Sequence, residues 1–486
     1  MLPLGEGLQN YCQQGLRSFH TPGHKGRQEF FHGLDFPNFD LTELPGLDQL
    51  SSASGIIAQA QRRAAVIFGA EESFFLVNGG TVGNQAMFLA LGKATMGKKV
   101  LMGRQSHKSV MSALVLTGLN PEYLAPIIHP DFNLPLGLEV GVKAIDWETI
   151  AACHFTYPSY YGTTPDLRTI INDRNKRGVT RPILVDQAHG SHYLGALFPP
   201  SALVLGADLV LHSTHKTLSA LTQASMLHVQ GKNINREKLR QSLEMLQSSS
   251  PSYLIMASLE LAGEFALAGE RWELLYEEVE KLHSKVGGFL RILNQRDVGS
   301  YGIERVDWSK ILVNTRLLGY PASECVKYLR KNYGIEPELW DEENILFVLG
   351  IGNTPEDIKE LTKGLQSLAN SALGNSSISL KLRVKERPRG LKIYPKPLQR
   401  MTPREAFFAQ RKQISVRKSC GFISAETISP YPPGIPLVVM GEEITPEIVE
   451  ILLARGPSQW QGWDGLESGK IWVIRETNSQ CIMHNS

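Results

Sequence analysis

Cysteine is scarce in these 486 residues: Cys12, Cys153, Cys325, Cys420 and Cys481 are odd in number, far apart and without a C-x-x-C pair. That spacing excludes a disulfide framework and a thiolate zinc knuckle, and it suits a reducing compartment. Long apolar runs are missing as well. No stretch reaches the ~18 apolar residues of a membrane span. The opening MLPLGEGLQNYCQQG has no basic region ahead of an apolar one, so a cytoplasmic protein with no membrane partner is expected. Charge of one sign is lacking too: 50 Lys and Arg stand against 48 Asp and Glu, a net +2. Without a global field to attract a polyanion, a small molecule is a better expected partner than nucleic acid. Repeats of the ~20–50-residue solenoid type are absent.

What is present is a globular composition, 42% hydrophobic with 44 Gly, long enough for several domains at about 100–200 residues each. Between residues 50 and 230, β-rich runs alternate with helical patterns, as when parallel strands are joined by crossover helices. The strand candidates are Ser73–Val77, Lys99–Met102, Cys153–Thr156, Pro182–Asp186, Asp208–His212 and Ser225–Val229. A helix over Gly55–Phe68 aligns Ile57, Ala60, Ala64 and Ile67 on one face, with Ser54 as N-cap and Gly69 at the stop; Pro165 opens another helix that Gly178 closes. Residues 257–295 read as helix, with Leu275, Val279, Leu282, Val286, Phe289 and Leu293 along one core-facing stripe. A smaller α/β unit follows: strand Ile311–Thr315, helix Pro321–Asn332, strand Ile345–Leu349 and a helix after Thr354-Pro355. Residues 371–379, SALGNSSIS, read as a linker. Beyond it Lys381, Arg383, Lys385, Arg387, Arg389, Lys392, Lys396 and Arg400 face a single acid, Glu386; Pro388, Pro395 and Pro397 break any basic helix, and the segment reads as a solvated or intersubunit strand without chemistry.

Three elements carry chemistry. The strand Ser73–Val77 runs into Asn78-Gly79-Gly80-Thr81-Val82-Gly83-Asn84 and an apolar helical run. Glycines there let backbone N–H groups approach an anion at a helix N-terminus; taken alone, the loop suits a structural tight turn equally well. The strand Pro182–Asp186 delivers a carboxylate into Gln187-Ala188-His189-Gly190-Ser191-His192, and a buried Asp needs a cationic or strongly donating partner. The strand Asp208–His212 leads to Ser213-Thr214-His215-Lys216, a lysine at the same sheet edge. A desolvated lysine is activated for Schiff-base chemistry, although on its own a surface lysine is the simpler reading. Phosphate loop, strand-end acid and strand-end lysine are together the three handles for pyridoxal 5′-phosphate, which has a phosphate, a ring nitrogen and an aldehyde.

The chain resembles the ornithine/lysine/arginine decarboxylase family, pyridoxal-phosphate enzymes of the aspartate aminotransferase fold (fold type I), above all its short bacterial arginine or lysine decarboxylase members. The motifs that carry the resemblance are FHTPGHKG at 19–26, LTELPGLDQL at 41–50, VNGGTVGN at 77–84, SHKSV at 106–110, TYPSYYG at 156–162, VDQAHGSH at 185–192, STHK at 213–216, MTPREAF at 401–407 and YPPGIPLVVMGEEIT at 431–445. The resemblance implies an α/β fold with a mostly parallel sheet, divided into an N-terminal arm (1–50), a large cofactor domain (51–300), a small α/β domain (301–375) and a C-terminal α+β domain (376–486). It implies Lys216 as the Schiff-base lysine, Asp186 as partner of the pyridine nitrogen, and His107 stacked on the ring face opposite Ala188. It also implies that Ser213, His215 and the backbone of Gly80, Thr81 and Val82 hold the phosphate. Gly80 departs from the Ser or Thr that many members carry, so one side-chain phosphate contact is missing. His20, Pro22, Gly23, His24 and Lys25 are implied to lie near an active site at a homodimer interface, with Ser159 and Tyr160 bordering the substrate. The family motif begins at residue 19, so the receiver-like wing of longer members is not expected here.

The expected reaction is decarboxylation of arginine or lysine, with ornithine less favoured, to the corresponding amine and carbon dioxide. Glu442, Glu443, Asp48 and Asp341 are the acids available for the substrate's distal cation. Lys216 or a nearby His returns the proton to Cα. Other fold-type-I reactions, an aminotransferase or aldolase, share the scaffold. A rival of another class is a metal-dependent hydrolase using His189, His192, His212 and His215, two H-x-x-H pairs; on extended chain, i and i+3 residues point to opposite faces, and the acid and the lysine would then need separate explanations. No metal is expected.

Overall fold

The computed structural model describes residues 15–19, 23, 25, 29, 47–92, 98–140, 145–374, 394–430, 434–454 and 460–475. Its main sheet has seven strands: β1 (Glu72–Leu76), β2 (Lys99–Gly103), β3 (Asn120–Leu124), β4 (Ile150–Thr156), β5 (Ile183–Asp186), β6 (Leu209–His212) and β7 (Ser225–Val229). The spatial order is β1-β7-β6-β5-β4-β2-β3, parallel throughout except that β7 runs against both its neighbours. Helices cover both faces, so the inner strands are buried along their whole length, as in β5 and β6. Alternate residues serve opposite cores: Cys153, Phe155, Ile183, Val185 and Val210 join one apolar cluster, and Ala152, Leu184, Leu209 and Leu211 the other. All six expected strands form. β3 was not foreseen; NPEYL carries Pro121, which only an edge position tolerates.

Helix α1 (Ile56–Phe68) is capped by Gly55, not by Ser54, and its free N–H groups are met from outside by the Asp48 carboxylate, which accepts from Ser54, Gly55, Ile57 and Ala58. Helix α2 (Gly79–Leu89) follows β1 directly, and α3 (Lys108–Thr117) follows β2. A Cβ on Gly83 would lie 2.4 Å from Leu211 Cδ1, so glycine is what lets α2 settle on β6. Helix α4 (Leu167–Lys176) is capped by Asp166, one residue after Pro165, while Gly178 turns with φ +63° beyond its end. The long helical stretch beyond residue 250 breaks at Leu267-Ala268 into α5 (Tyr253–Ala266) and α6 (Gly269–Val286). Leu275, Val279, Leu282 and Val286 are buried as expected, but Phe289 lies past the helix end and is exposed, and Leu293 is buried outside the helix.

A four-stranded antiparallel sheet packs beside this unit: β8 (Arg291–Ile292), β9 (Lys310–Asn314), β10 (Leu339–Trp340) and β11 (Asn344–Val348), in the order β8-β9-β11-β10. Helices α7 (Ala322–Tyr333) and α8 (Pro355–Gly374) cover it. Residues 371–374 of the expected linker are therefore helical, and 375–379 lie outside the described residues, as do six of the eight basic residues beyond it. Of the two that are described, Lys396 approaches Glu139 and Arg400 pairs with Glu443.

The C-terminal region has its own core of Val416, Ile428, Leu437, Ile444, Ile448, Trp460 and Ile471, among others. It is fastened to the main sheet by a buried ion pair. Arg104, just after β2, donates both terminal nitrogens to the two Glu442 oxygens at 2.6 and 2.7 Å and also bonds the Pro436 and Leu437 carbonyls. Among the described residues no helix is long and apolar enough to cross a membrane. Cys153, Cys325 and Cys420 are free thiols; Cys12 and Cys481 lie outside the described residues.

Candidate active site

Because β1, β2, β4, β5 and β6 are parallel, their carboxyl ends open on one edge of the sheet, where ligands of such folds gather. The loop 78–80, His107, the 157–164 loop, Asp186 to His192 and Ser213 to Lys216 all leave from that edge.

Asp186 closes β5 and is buried, with 3% of its surface exposed. Its Oδ2 accepts from Asn84 Nδ2 at 2.8 Å and its Oδ1 from the Ala188 N–H at 3.1 Å. Asn84 also donates to Ser109 Oγ at 2.9 Å, and Ser109 Oγ lies 2.8 Å from His107 Nδ1. His107 caps α3 by accepting the Ser109 N–H on the same Nδ1, which leaves its proton on Nε2. A continuous chain Asp186–Asn84–Ser109–His107 thus joins two of the expected site residues through two that were not singled out. Asn84 and Ser109 did stand in the motifs VNGGTVGN and SHKSV, but neither residue type marks itself out as a link.

Lys216 ends the short turn after β6, and its Nζ lies 2.9 Å from His189 Nε2. Burial lowers the lysine's pKa, opposed by the fields of Asp186 and Glu338. Burial, with Lys216 and Lys310 nearby, drives the His189 pKa well down, so the neutral imidazole accepts from the amine. The Tyr160 ring packs on His189 at 4.6 Å, and its hydroxyl donates to Glu338 Oε1 at 2.5 Å. Ser159 turns the other way, bonding Thr163 within its own turn. Glu338 was missed because it lies in the sequence GIEPELW between short strands, in no motif.

The four acids expected for a distal cation are occupied elsewhere: Asp48 on α1, Glu442 on Arg104, Glu443 on Arg400, and Asp341 on the N–H groups of Glu343 and Asn344. The rival histidine quartet is likewise dispersed. His189 meets Lys216, His192 lies on Asp307 and Ser309, His212 bonds Gln187 and His228, and His215 donates Nδ1 to the Ala224 carbonyl at 2.8 Å. Of the N-terminal motif, His20, Pro22 and His24 lie outside the described residues. Gly23 donates its N–H to the His215 carbonyl and accepts from Gly352 at 2.9 Å, and Lys25 Nζ reaches the Val348 carbonyl at 3.2 Å. Gly23 and Lys25 therefore lie between the Lys216 turn and the small sheet.

These residues fit pyridoxal phosphate. Asn78 spends its side chain on Ser248 N–H and does not cap α2, so the helix's first N–H groups have no side-chain cap. The Thr214 hydroxyl is buried without a partner, and a Cβ on Gly80 would fall 2.7 Å from Ser213 Oγ, so the loop is a shaped hollow beside two hydroxyls. Asp186 is a buried carboxylate in no ion pair among the described residues, suited to a protonated ring nitrogen. The fold and this residue set define a pyridoxal-phosphate enzyme of fold type I.

The comparisons narrow the class. The profile of the Orn/Lys/Arg decarboxylase major domain matches residues 2–286, and that of the family's C-terminal domain matches 392–456. Arginine decarboxylase of Bacillus subtilis is 32% identical over 471 residues, 93% of this chain and 92% of its own. The uncharacterized protein YaaO of the same organism is 35% identical over 464 residues, 93% of both chains. Among solved structures, the constitutive lysine decarboxylase of Escherichia coli superposes with a TM-score of 0.73 at 21% identity, covering 98% of this chain and 82% of that one. Serine palmitoyltransferase of Sphingomonas wittichii gives 0.53 at 14% identity over 74% and 88%. The chain belongs to the Orn/Lys/Arg decarboxylase family and is an amino-acid decarboxylase dependent on pyridoxal phosphate.

Proposed function

We propose that this enzyme removes the α-carboxylate of a basic L-amino acid, arginine or lysine with ornithine less favoured, to give the corresponding amine. The observation that carries the substrate class is Glu338. Among the described residues its field bears on Lys216 together with that of Asp186, and with Tyr160 it offers an acidic receptor for a guanidinium or ammonium group.

Pyridoxal phosphate, when bound, supplies an electron sink for the bond broken at Cα. Lys216 would carry it, with Gly80, Thr81, Val82, Ser213 and His215 around its phosphate, Asp186 at its ring nitrogen, and His107 and Ala188 on its two faces. Asn84 and Ser109 hold Asp186 and His107 in register. His189 accepts from the Lys216 amine, which orients that amine and keeps a neutral base beside it. Lys216, with its depressed pKa, is the group in position to return a proton to Cα.

The reading includes a homodimer or an oligomer built from one, because Thr81 and His107 are exposed on the single chain at the cofactor loop. It also includes a cytoplasmic setting, in keeping with the exposed free thiol of Cys420, and the division into units 1–50, 51–300, 301–375 and 376–486.

The test is carbon dioxide release from carboxyl-labelled arginine, lysine and ornithine by the purified holoenzyme. Release from at least one is expected, with Glu338→Gln losing about a hundredfold in kcat/KM through loss of a charge-assisted contact. Transfer of the amino group without carbon dioxide would assign an aminotransferase instead.

A further inference from the structure

Lys310 opens β9 where the small sheet meets the cleft, and its side chain is buried, with 1% of the residue exposed. Its Nζ has no hydrogen-bond partner among the described residues. An unpaired buried ammonium is costly, and proteins keep one only where something meets it.

Neither nearby acid bonds this amine. Asp307 accepts from Ser309 Oγ and Tyr193 OH and lies against His192; Glu338 accepts from Tyr160. The position is built rather than incidental. A Cβ on Gly162, which turns at φ +87°, would come within 2.7 Å of the Lys310 Cβ and Cγ, so the glycine closing the TYPSYYG motif makes room for this lysine's stem. The amine also belongs to the reaction site: the fields of Lys216 and Glu338 act on Lys310, and that of Lys310 acts on His189.

We propose that Lys310 is the receptor for the α-carboxylate of the substrate. Resting on the decarboxylase reading above, this completes a two-point hold, with Glu338 and Tyr160 taking the distal cation and Lys310 the group that is to leave. Fixing both ends restricts rotation about the Cα bonds, which a decarboxylase must control to break the bond to the carboxylate rather than the bond to hydrogen. Burial lowers the Lys310 pKa to about 8, against the fields of Asp307 and Glu338. The amine is therefore mostly protonated at neutral pH and loses its charge above that.

The experiment compares, in the holoenzyme, affinity for an amino acid with affinity for its decarboxylated amine, both read from the change in visible cofactor absorbance. Lys310→Met is expected to weaken the amino acid roughly thirtyfold or more and the amine by less than about twofold, with Lys310→Arg recovering most of the difference. Equal weakening of acid and amine, or of neither, would overturn the assignment. Should the Met variant not retain cofactor, Lys310→Arg and Lys310→Gln carry the comparison: the acid-to-amine affinity ratio is expected to hold in the Arg variant and to fall in the Gln variant, and equal ratios in the two overturn the proposal. If no basic amino acid is decarboxylated, the functional reading above fails by itself, while the same ratio is still measured with whichever α-amino acid shifts the absorbance.

Discussion

Gly80 and Ser213 compete for one volume. A Cβ on Gly80 would lie 2.7 Å from Ser213 Oγ, so a larger residue there must displace that hydroxyl. Gly80→Ser is thus expected to weaken pyridoxal phosphate by about tenfold, the worth of roughly one displaced hydrogen bond, and Gly80→Ser/Ser213→Gly to recover it, as measured by titrating apoenzyme absorbance. Tighter cofactor binding by the single variant would show that the space was empty. At this scale Lys216, Asp186, His107 and Gly80 could be proposed from the sequence because each stands in a recognisable motif at or just beyond the carboxyl edge of the sheet. Asn84, Ser109 and Glu338 could not, because the argument for each is a contact across 25 or more residues of chain, and Lys310 could not, because its burial without a partner shows only in the fold.

The element that ties the site to the sheet interior is a line of neutral side chains across β1, β7 and β6. Ser73 Oγ meets His228 Nδ1 at 2.7 Å, His228 Nε2 meets His212 Nδ1 at 3.0 Å, and His212 Nε2 accepts from Gln187, which also bonds Gly190 in the turn after Asp186. Phe68 of α1 packs on both rings. Burial holds the His228 pKa at about 3 and that of His154, on the opposite face of the sheet, at about 4. The unfolded chain protonates both near pH 6.5, so stability is full above that value and falls as pH drops through the window, by on the order of 5 kcal/mol at pH 4. Thermal unfolding is expected to show a steep loss of Tm between pH 6.5 and 4.5, shallower in His228→Gln; an unchanged slope in that variant would refute the assignment. The strands bearing these residues were readable as continuous apolar runs. The hydrogen-bonded use of their histidines was not, since a lone His on a strand gives no sign of its neighbour. Edge strand β3 escaped because its polar, proline-bearing sequence resembles a loop and becomes a strand only by pairing with β2.

Over the whole molecule, the sheet edge gathers the residues proposed to hold the cofactor, Lys310 comes from the small sheet and Glu338 from just before one of its strands, Gly23 meets the turn that bears Lys216, and Arg104–Glu442 locks the C-terminal region to the strand that leads to His107. Near-neutral net charge conceals this arrangement, because buried pairs such as Arg104–Glu442 and Arg174–Asp208 cancel in the sum. The organisation into a parallel α/β unit and a smaller unit was legible from the spacing of strands and helices. Which acids pair within the protein was not, because pairing is settled only when distant segments pack. The most direct measurement is borohydride reduction of the purified holoenzyme followed by peptide mass spectrometry. The account predicts that the visible absorbance is lost and that a reduced pyridoxyl phosphate group is found on Lys216, with none in Lys216→Ala. Modification of another lysine, Lys310 included, or a reduced enzyme that carries no adduct at all, would contradict it.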